Sequence, residues 1–202
     1  ALVEDIREVV TIDFPVSSFD LDISALHSLI AGLDPVQSAT VRIRPGGVLQ
    51  VDVAERDPAL LWRSRDGLAL LDDNGAHIDH VVSRNEHPDL PLIAGDGADE
   101  AVPEALAILA AAQPLADRLR GLVRMGERRW DVVLDRDQRL MLPVEDPVLA
   151  LERIIAFDSA HDMLARDVAS VDMRLGMRPT LRMNENAVSE WWRIREINQV
   201  AR

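Results

Sequence analysis

Residues 68–80 read LALLDDNGAHIDH: an apolar run, two aspartates, an Asn-Gly pair, then two histidines around a third aspartate. Two readings compete for this stretch. An apolar strand ending in an aspartate can deliver a carboxylate nucleophile, with a second carboxyl two positions later as its proton donor. Here the position two beyond Asp72 is Asn74, which is not an acid, so the spacing fails. The other reading is a tight hairpin. Asn74-Gly75 is suited to a type I′ turn, because both residue types accept left-handed backbone angles, and strands then flank it at Leu68–Leu71 and 76–82. On a strand His77 and His80 point to opposite faces, so with His87 they form at most a loose constellation, and solvated loop histidines are the plainer reading.

The pattern on either side of this hairpin is mixed. Leu26, Leu29, Ile30 and Leu33 recur at helical spacing, with Ser24 as a cap and Gly32 and Pro35 as terminators, which predicts a helix over 21–33. Residues 38–44 (SATVRIR) and 48–53 (VLQVDV) alternate apolar with polar across Pro45-Gly46-Gly47, a second hairpin. Residues 1–14 are ambiguous: Asp5 to Glu8 is helix-like, whereas Val9 to Phe14 is β-branched and strand-like. Beyond Asp57-Pro58 the chain turns strand-rich, beginning with 59–63. Residues 85–101 read as irregular, and Gly95-Asp96-Gly97 lacks the third glycine of a phosphate cradle. Pro103 suits the first turn of a helix to about Ala112, and Pro114 a second short one. A third hairpin joins 128–135 to 139–142 across Arg136-Asp137-Gln138. A helix opened by Asp146-Pro147 presents Val148, Leu151, Ile154 and Ile155 on one side. Strands at 169–175 and 178–184 follow, then a polar tail with Trp191-Trp192. These elements predict an α+β fold with a domain boundary near Pro58.

Composition narrows the function. The 202 residues carry 35 acidic against 22 basic side chains, a net charge of −13, which repels phosphate backbones and argues against nucleic acid. Every basic residue is arginine. Without cysteine there is no disulfide, zinc-thiolate or thiol chemistry. No apolar run approaches the roughly 20 residues of a membrane span, and Ala1 reads as a trimmed start. No serine or threonine sits in a nucleophile elbow, and the carboxylate pairs Asp72/Asp73 and Asp20/Asp22 read as turn and edge residues. The haloacid-dehalogenase-like reading of Asp72 has no support, and no cofactor or metal is expected.

The hairpin sits inside a longer string: Glu55-Arg56-Asp-Pro58 and Trp62, followed by Leu68-Ala-Leu-Leu-Asp72-Asp-Asn-Gly75. This resembles the FtsQ/DivIB family of bacterial cell-division proteins. There an E-R-x-P-x-x-x-W segment closes a POTRA domain and leads into a β domain that begins with an L-x-D-x-x-G hairpin. Leu33-Asp-Pro35-Val36-Gln-Ser-Ala39-Thr-Val41 is similar to the start of the POTRA hairpin. Arg129-Trp130-Asp131 and Gln138-Arg-Leu-Met-Leu142-Pro143 are similar to the alphaproteobacterial central hairpin. Val171-Asp172-Met173-Arg174-Leu175, then Pro179-Thr-Leu-Arg-Met183, are similar to the closing V-D-L-R hairpin. The match runs from about residue 4 to 184, its motifs in the family's order.

The resemblance implies a truncated POTRA domain at 1–57 that lacks its first strand, with a helix at about residues 4–10. It implies a β domain of mostly antiparallel strands with helices on one face at 58–184, and a tail at 185–202. It further implies a non-enzymatic scaffold of the divisome, anchored in the inner membrane by an N-terminal helix outside this chain, with this region in the periplasm at the septum. FtsB and FtsL would be recruited by β-strand addition, and FtsK contacted through the POTRA domain. Arg178 to Met183, the last strand, is the expected sheet edge, whose free N–H and C=O groups can accept another strand. The expected partner-binding residues are Arg174, Leu175, Arg178, Thr180, Leu181, Arg182, Met183, Trp191 and Trp192. A POTRA-bearing chaperone of outer-membrane protein assembly or secretion is the alternative.

Overall fold

The computed structural model describes residues 2–10, 21–175, 178–184, 188, 189 and 193. It begins with α1 (Leu2–Val9) and α2 (Ile23–Ala31), followed by a two-stranded antiparallel sheet of β1 (Val36–Arg44) and β2 (Val48–Glu55). The helical reading of the first residues holds for Leu2–Val9, while 11–20 lie outside the described residues. Asp22 rather than Ser24 caps α2: its carboxylate accepts from the Ala25 N–H at 3.0 Å, two residues earlier than the expected cap. Leu26 and Ile30 form the buried stripe of α2, packed on β1.

The rest of the described chain builds one mixed sheet of nine strands. These are β3 (Leu60–Arg63), β4 (Leu68–Leu71), β5 (His77–Val81), β6 (Leu92–Ala94), β7 (Leu119–Met125), β8 (Arg129–Leu134), β9 (Arg139–Met141), β10 (Val168–Asp172) and β11 (Thr180–Met183). Their spatial order is β11-β10-β9-β8-β7-β6-β3-β4-β5. Pairs joined by short turns are antiparallel. The parallel pairs occur where the chain crosses over: β6 to β7 through α3 (Val102–Ala111), β9 to β10 through α4 (Pro147–His161), and β3 to β6 around the β4–β5 hairpin. The fold is therefore α+β, as expected.

Two strands went unread in the sequence. β6 lies within the stretch expected to be irregular. β7 follows a 3₁₀ turn at Gln113–Arg118, and Gly121 and Arg124 interrupt its apolar alternation. Arg124 faces the helices despite its charge. Its guanidinium lies 4.9 Å from the Trp130 ring centroid and bonds Glu104 Oε2, which also accepts from Trp130 Nε1 at 2.9 Å.

The main core lies between one face of the sheet and helices α3 and α4: Leu60, Ile93, Leu122, Trp130, Val132, Leu140 and Val171 from the strands meet Val102, Ile108, Leu151 and Ile154. Leu61, Leu68, Leu70 and Val81 form a second, smaller core on the opposite face, with Leu90 and Leu92 against it. β4 is thus buried on both faces.

The decisive hairpin exists, but its turn differs from the expected type. The Gly75 N–H donates to Asp72 O at 3.2 Å, so Asp73 and Asn74 are the central residues, and Gly75 alone in the turn has positive φ, at +87°. Asp72 dictates this geometry. Its Oδ1 accepts from the Asn74 and Ala76 N–H groups at 2.9 and 2.8 Å, which folds the chain over the carboxylate. The mirror-image turn occurs instead at Arg136 and Asp137, with φ of 56° and 57°, although neither is glycine. Arg136 is held there by a 3.0 Å bond to Leu164 O.

Candidate partner-binding edge

β11 stands at one end of the nine-stranded sheet and pairs, among the described residues, only with β10. Its anchor begins deeper in the fold. Gln138, 2% exposed, donates from Nε2 to Val168 O at 2.8 Å and accepts from Arg118 Nη2 at 2.9 Å, tying the start of β9 to the start of β10. β10 in turn aligns Thr180 with Asp172, Leu181 with Val171, Arg182 with Ser170 and Met183 with Val168.

All four residues of β11 are exposed. Leu181 and Met183, 44% and 45% exposed, share the helix-side face with Val171 and Val168, while Thr180 and Arg182 lie on the other. Backbone direction follows from one bond. The Asn184 N–H turns towards β10 and donates to Asp167 O at 3.1 Å. Since alternate residues of an antiparallel strand direct their N–H and C=O to opposite sides, Thr180 and Arg182 face β10, and Leu181 and Met183 face outward. A shallow pocket lined by Leu181, Arg182, Met183, Val188 and Ser189 adjoins this edge.

The opposite edge is built differently. Among the described residues β5 pairs only with β4, its register slips between Leu70 and Leu71, and Asp79 Oδ1 takes the His80 N–H at 2.7 Å. A bulge, charge and a self-satisfied donor are the devices by which proteins discourage strand addition. Among the described residues β11 has neither a bulge of its own nor a self-satisfied donor, and its one charge is Arg182.

The other expected residues divide. Arg174 is already engaged: its Nε and Nη2 grip the Asp172 carboxylate at 2.9 and 2.6 Å, and its own N–H donates to the same group at 2.9 Å. The Arg174 bond holds the Asp172 carboxyl below the ordinary range, and Asp172 raises the Arg174 guanidinium in return. A partner carboxylate at Arg174 must share or displace Asp172. Leu175 is 95% exposed and Arg178 is exposed. Trp191 and Trp192 lie outside the described residues.

Asp72 is 3% exposed and fully occupied, accepting a third bond from Arg56 Nη1 at 2.7 Å. Burial pushes its carboxyl up, but the Ala76 N–H, Arg56 and the Asn74 N–H together hold it below the ordinary value. It is an ionised structural group. No group of three or more histidine and carboxylate side chains among the described residues is placed to hold a metal ion.

The family model described as the C-terminal region of cell division protein FtsQ/DivIB matches residues 60–174, which is the sheet from β3 through β10 with both of its helices. The chain belongs to the FtsQ/DivIB family of cell-division proteins. It is 57% identical to the cell division protein FtsQ of Roseobacter litoralis over 199 residues, covering 98% of this chain and 68% of that relative. The FtsQ of Cereibacter sphaeroides is 53% identical, with 98% and 64% covered, and that of Rhizobium meliloti 30% identical, with 91% and 59% covered. The chain thus spans about two thirds or less of the length of these FtsQ relatives. No helix among its described residues is long and apolar enough to cross a membrane.

Proposed function

We propose that this chain is the periplasmic part of a single-pass inner-membrane scaffold at the division septum, acting by binding and not by turnover. On this reading β11 takes up a strand of FtsB, presented together with FtsL, as the tenth strand of the sheet. The N-terminal helices and hairpin, within residues 1–57, are its POTRA domain, directed at upstream division proteins such as FtsK. Residues 58–184 are the β domain.

The observation that carries the reading is the edge of β11, exposed and paired on one side only among the described residues, in a chain of this family, set against the bulged edge at β5. Two outward residues offer up to four backbone hydrogen bonds, worth about 0.5–1.5 kcal/mol each, which together do little more than offset the cost of association. Leu181 and Met183 therefore have to contribute apolar contact as well. Their half-exposed side chains on the helix side supply it.

Isothermal titration of the protein with a periplasmic FtsB segment tests this. Proline at Leu181 or Met183 removes an outward N–H without touching the β10 ladder, as edge prolines can, so Leu181→Pro should fold and lose binding. Undiminished affinity of a folded Leu181→Pro variant would overturn strand addition at this edge.

A further inference from the structure

Among the described residues, one side-chain hydrogen bond joins the two sheets, and Arg56 makes it. Arg56 follows β2, and its N–H donates to Pro35 O at 2.9 Å and its Nε to Asp34 O at 3.1 Å, both at the corner between α2 and β1. Its Nη1 reaches the other way, to Asp72 in the β4–β5 turn of the large sheet, at 2.7 Å. Beyond it only Asp57 and Pro58 intervene before the Ala59 N–H joins the large sheet at Leu71 O, 2.9 Å away. Apart from this arginine, the elements of the N-terminal unit pack chiefly on one another, β1 on β2 and α2 on β1.

We propose that Arg56 is an orientation lock: its guanidinium ties the α2–β1 corner to the β4–β5 turn and sets the angle between the N-terminal unit and the nine-stranded sheet. Two features separate a lock from an ordinary cap. An arginine that only capped its own unit would need no more than the carbonyls of the α2–β1 corner, whereas here Nη1 turns to a carboxylate of the other sheet. Asp72, conversely, has its Oδ1 filled by the turn it organises, which leaves Oδ2 turned to Arg56. The planar fork is required, because nitrogens on different edges of one rigid planar group engage acceptors in different units. Inter-domain motion is the default where units share little apolar contact, and a part-buried charged bond resists it better than an exposed one. The turn holding Asp72 is itself wedged, with Gly75 seated against the Asp99 backbone at the approach to α3, so the lock is anchored to the main core.

The chain has no cysteine, so cysteines introduced at the exposed positions Thr40, on β1, and Glu152, on α4, can be spin-labelled cleanly. Double electron–electron resonance then reads the distance between the units. The intact protein should give one narrow peak. Arg56→Gln and Arg56→Lys should both lose it to a broad distribution while circular dichroism and amide spectra remain those of folded units; lysine fails because one ammonium cannot span both acceptors. Asp72→Asn, which keeps an Oδ1 for the turn amides, should broaden the distribution in the same way. An unchanged narrow peak in folded Arg56→Gln would overturn the proposal. So would global unfolding of both Arg56 variants, since a lock leaves each unit folded when it opens. FtsB titration of Arg56→Gln is expected to be unaffected, so this test stands apart from the strand-addition reading.

Discussion

Gly75 offers the sharpest test of how the decisive hairpin is held. A Cβ built there lies 2.0 Å from Asp99 O, where 3.4 Å is ordinary contact, so alanine must push the approach to α3 away by about 1.4 Å. Its φ of +87° adds backbone strain of about 1–2 kcal/mol for any L side chain. Forcing a packed element aside costs about 1–3 kcal/mol more. Gly75→Ala should therefore destabilise the protein by roughly 2–5 kcal/mol, lowering Tm by about 5–20 °C for a chain of this size. Gly126, in the β7–β8 turn of the same sheet, is the control: it has φ +58° but nothing within 4 Å of its Cβ. Gly126→Ala should cost only the strain, about 1 kcal/mol. Differential scanning calorimetry of both variants separates the terms. Equal losses at the two sites would show that strain alone matters and that the turn is not wedged against Asp99.

Asp137→Gly should stabilise the protein by about 0.5–1 kcal/mol in chemical denaturation, because glycine relieves an exposed left-handed residue at some cost in unfolded-chain entropy. Arg136→Gly should gain less, since it also gives up the bond to Leu164 O. Acid sensitivity follows from Asp72 and Asp172, whose carboxyls are both depressed in the fold. Their stabilisation is complete above the unfolded value near 4 and is lost as pH falls through the lower folded values, so the denaturation midpoint should hold from pH 7 to about 5 and decline below about 4. Asp72→Asn should flatten that decline; a slope as steep as wild type would remove Asp72 from the account.

Local chemistry was enough to read the hairpin at Leu68–Val81, the Pro45-Gly46-Gly47 turn and the helices opened by Pro103 and Pro147, because each depends on residues only a few positions apart. The ordered motifs likewise announced the family from residues alone. β7 was hidden because Arg124 occupies a core-side position through partners 20 residues earlier and six later, Glu104 and Trp130. The turn at Asp72 took the other geometry because a side chain outcompeted the left-handed preference of Asn74, while at the Arg136-Asp137 turn Arg136 is bonded to the distant Leu164 O. The sheet order belongs to the tertiary structure too. The crossovers set the strand order that leaves Thr180–Met183 at one end of the sheet, and the β3–β4 hairpin carries Asp72 back to Arg56. Alternation along a strand says which residues share a face, but only the assembled sheet decides which strand is left without a neighbour.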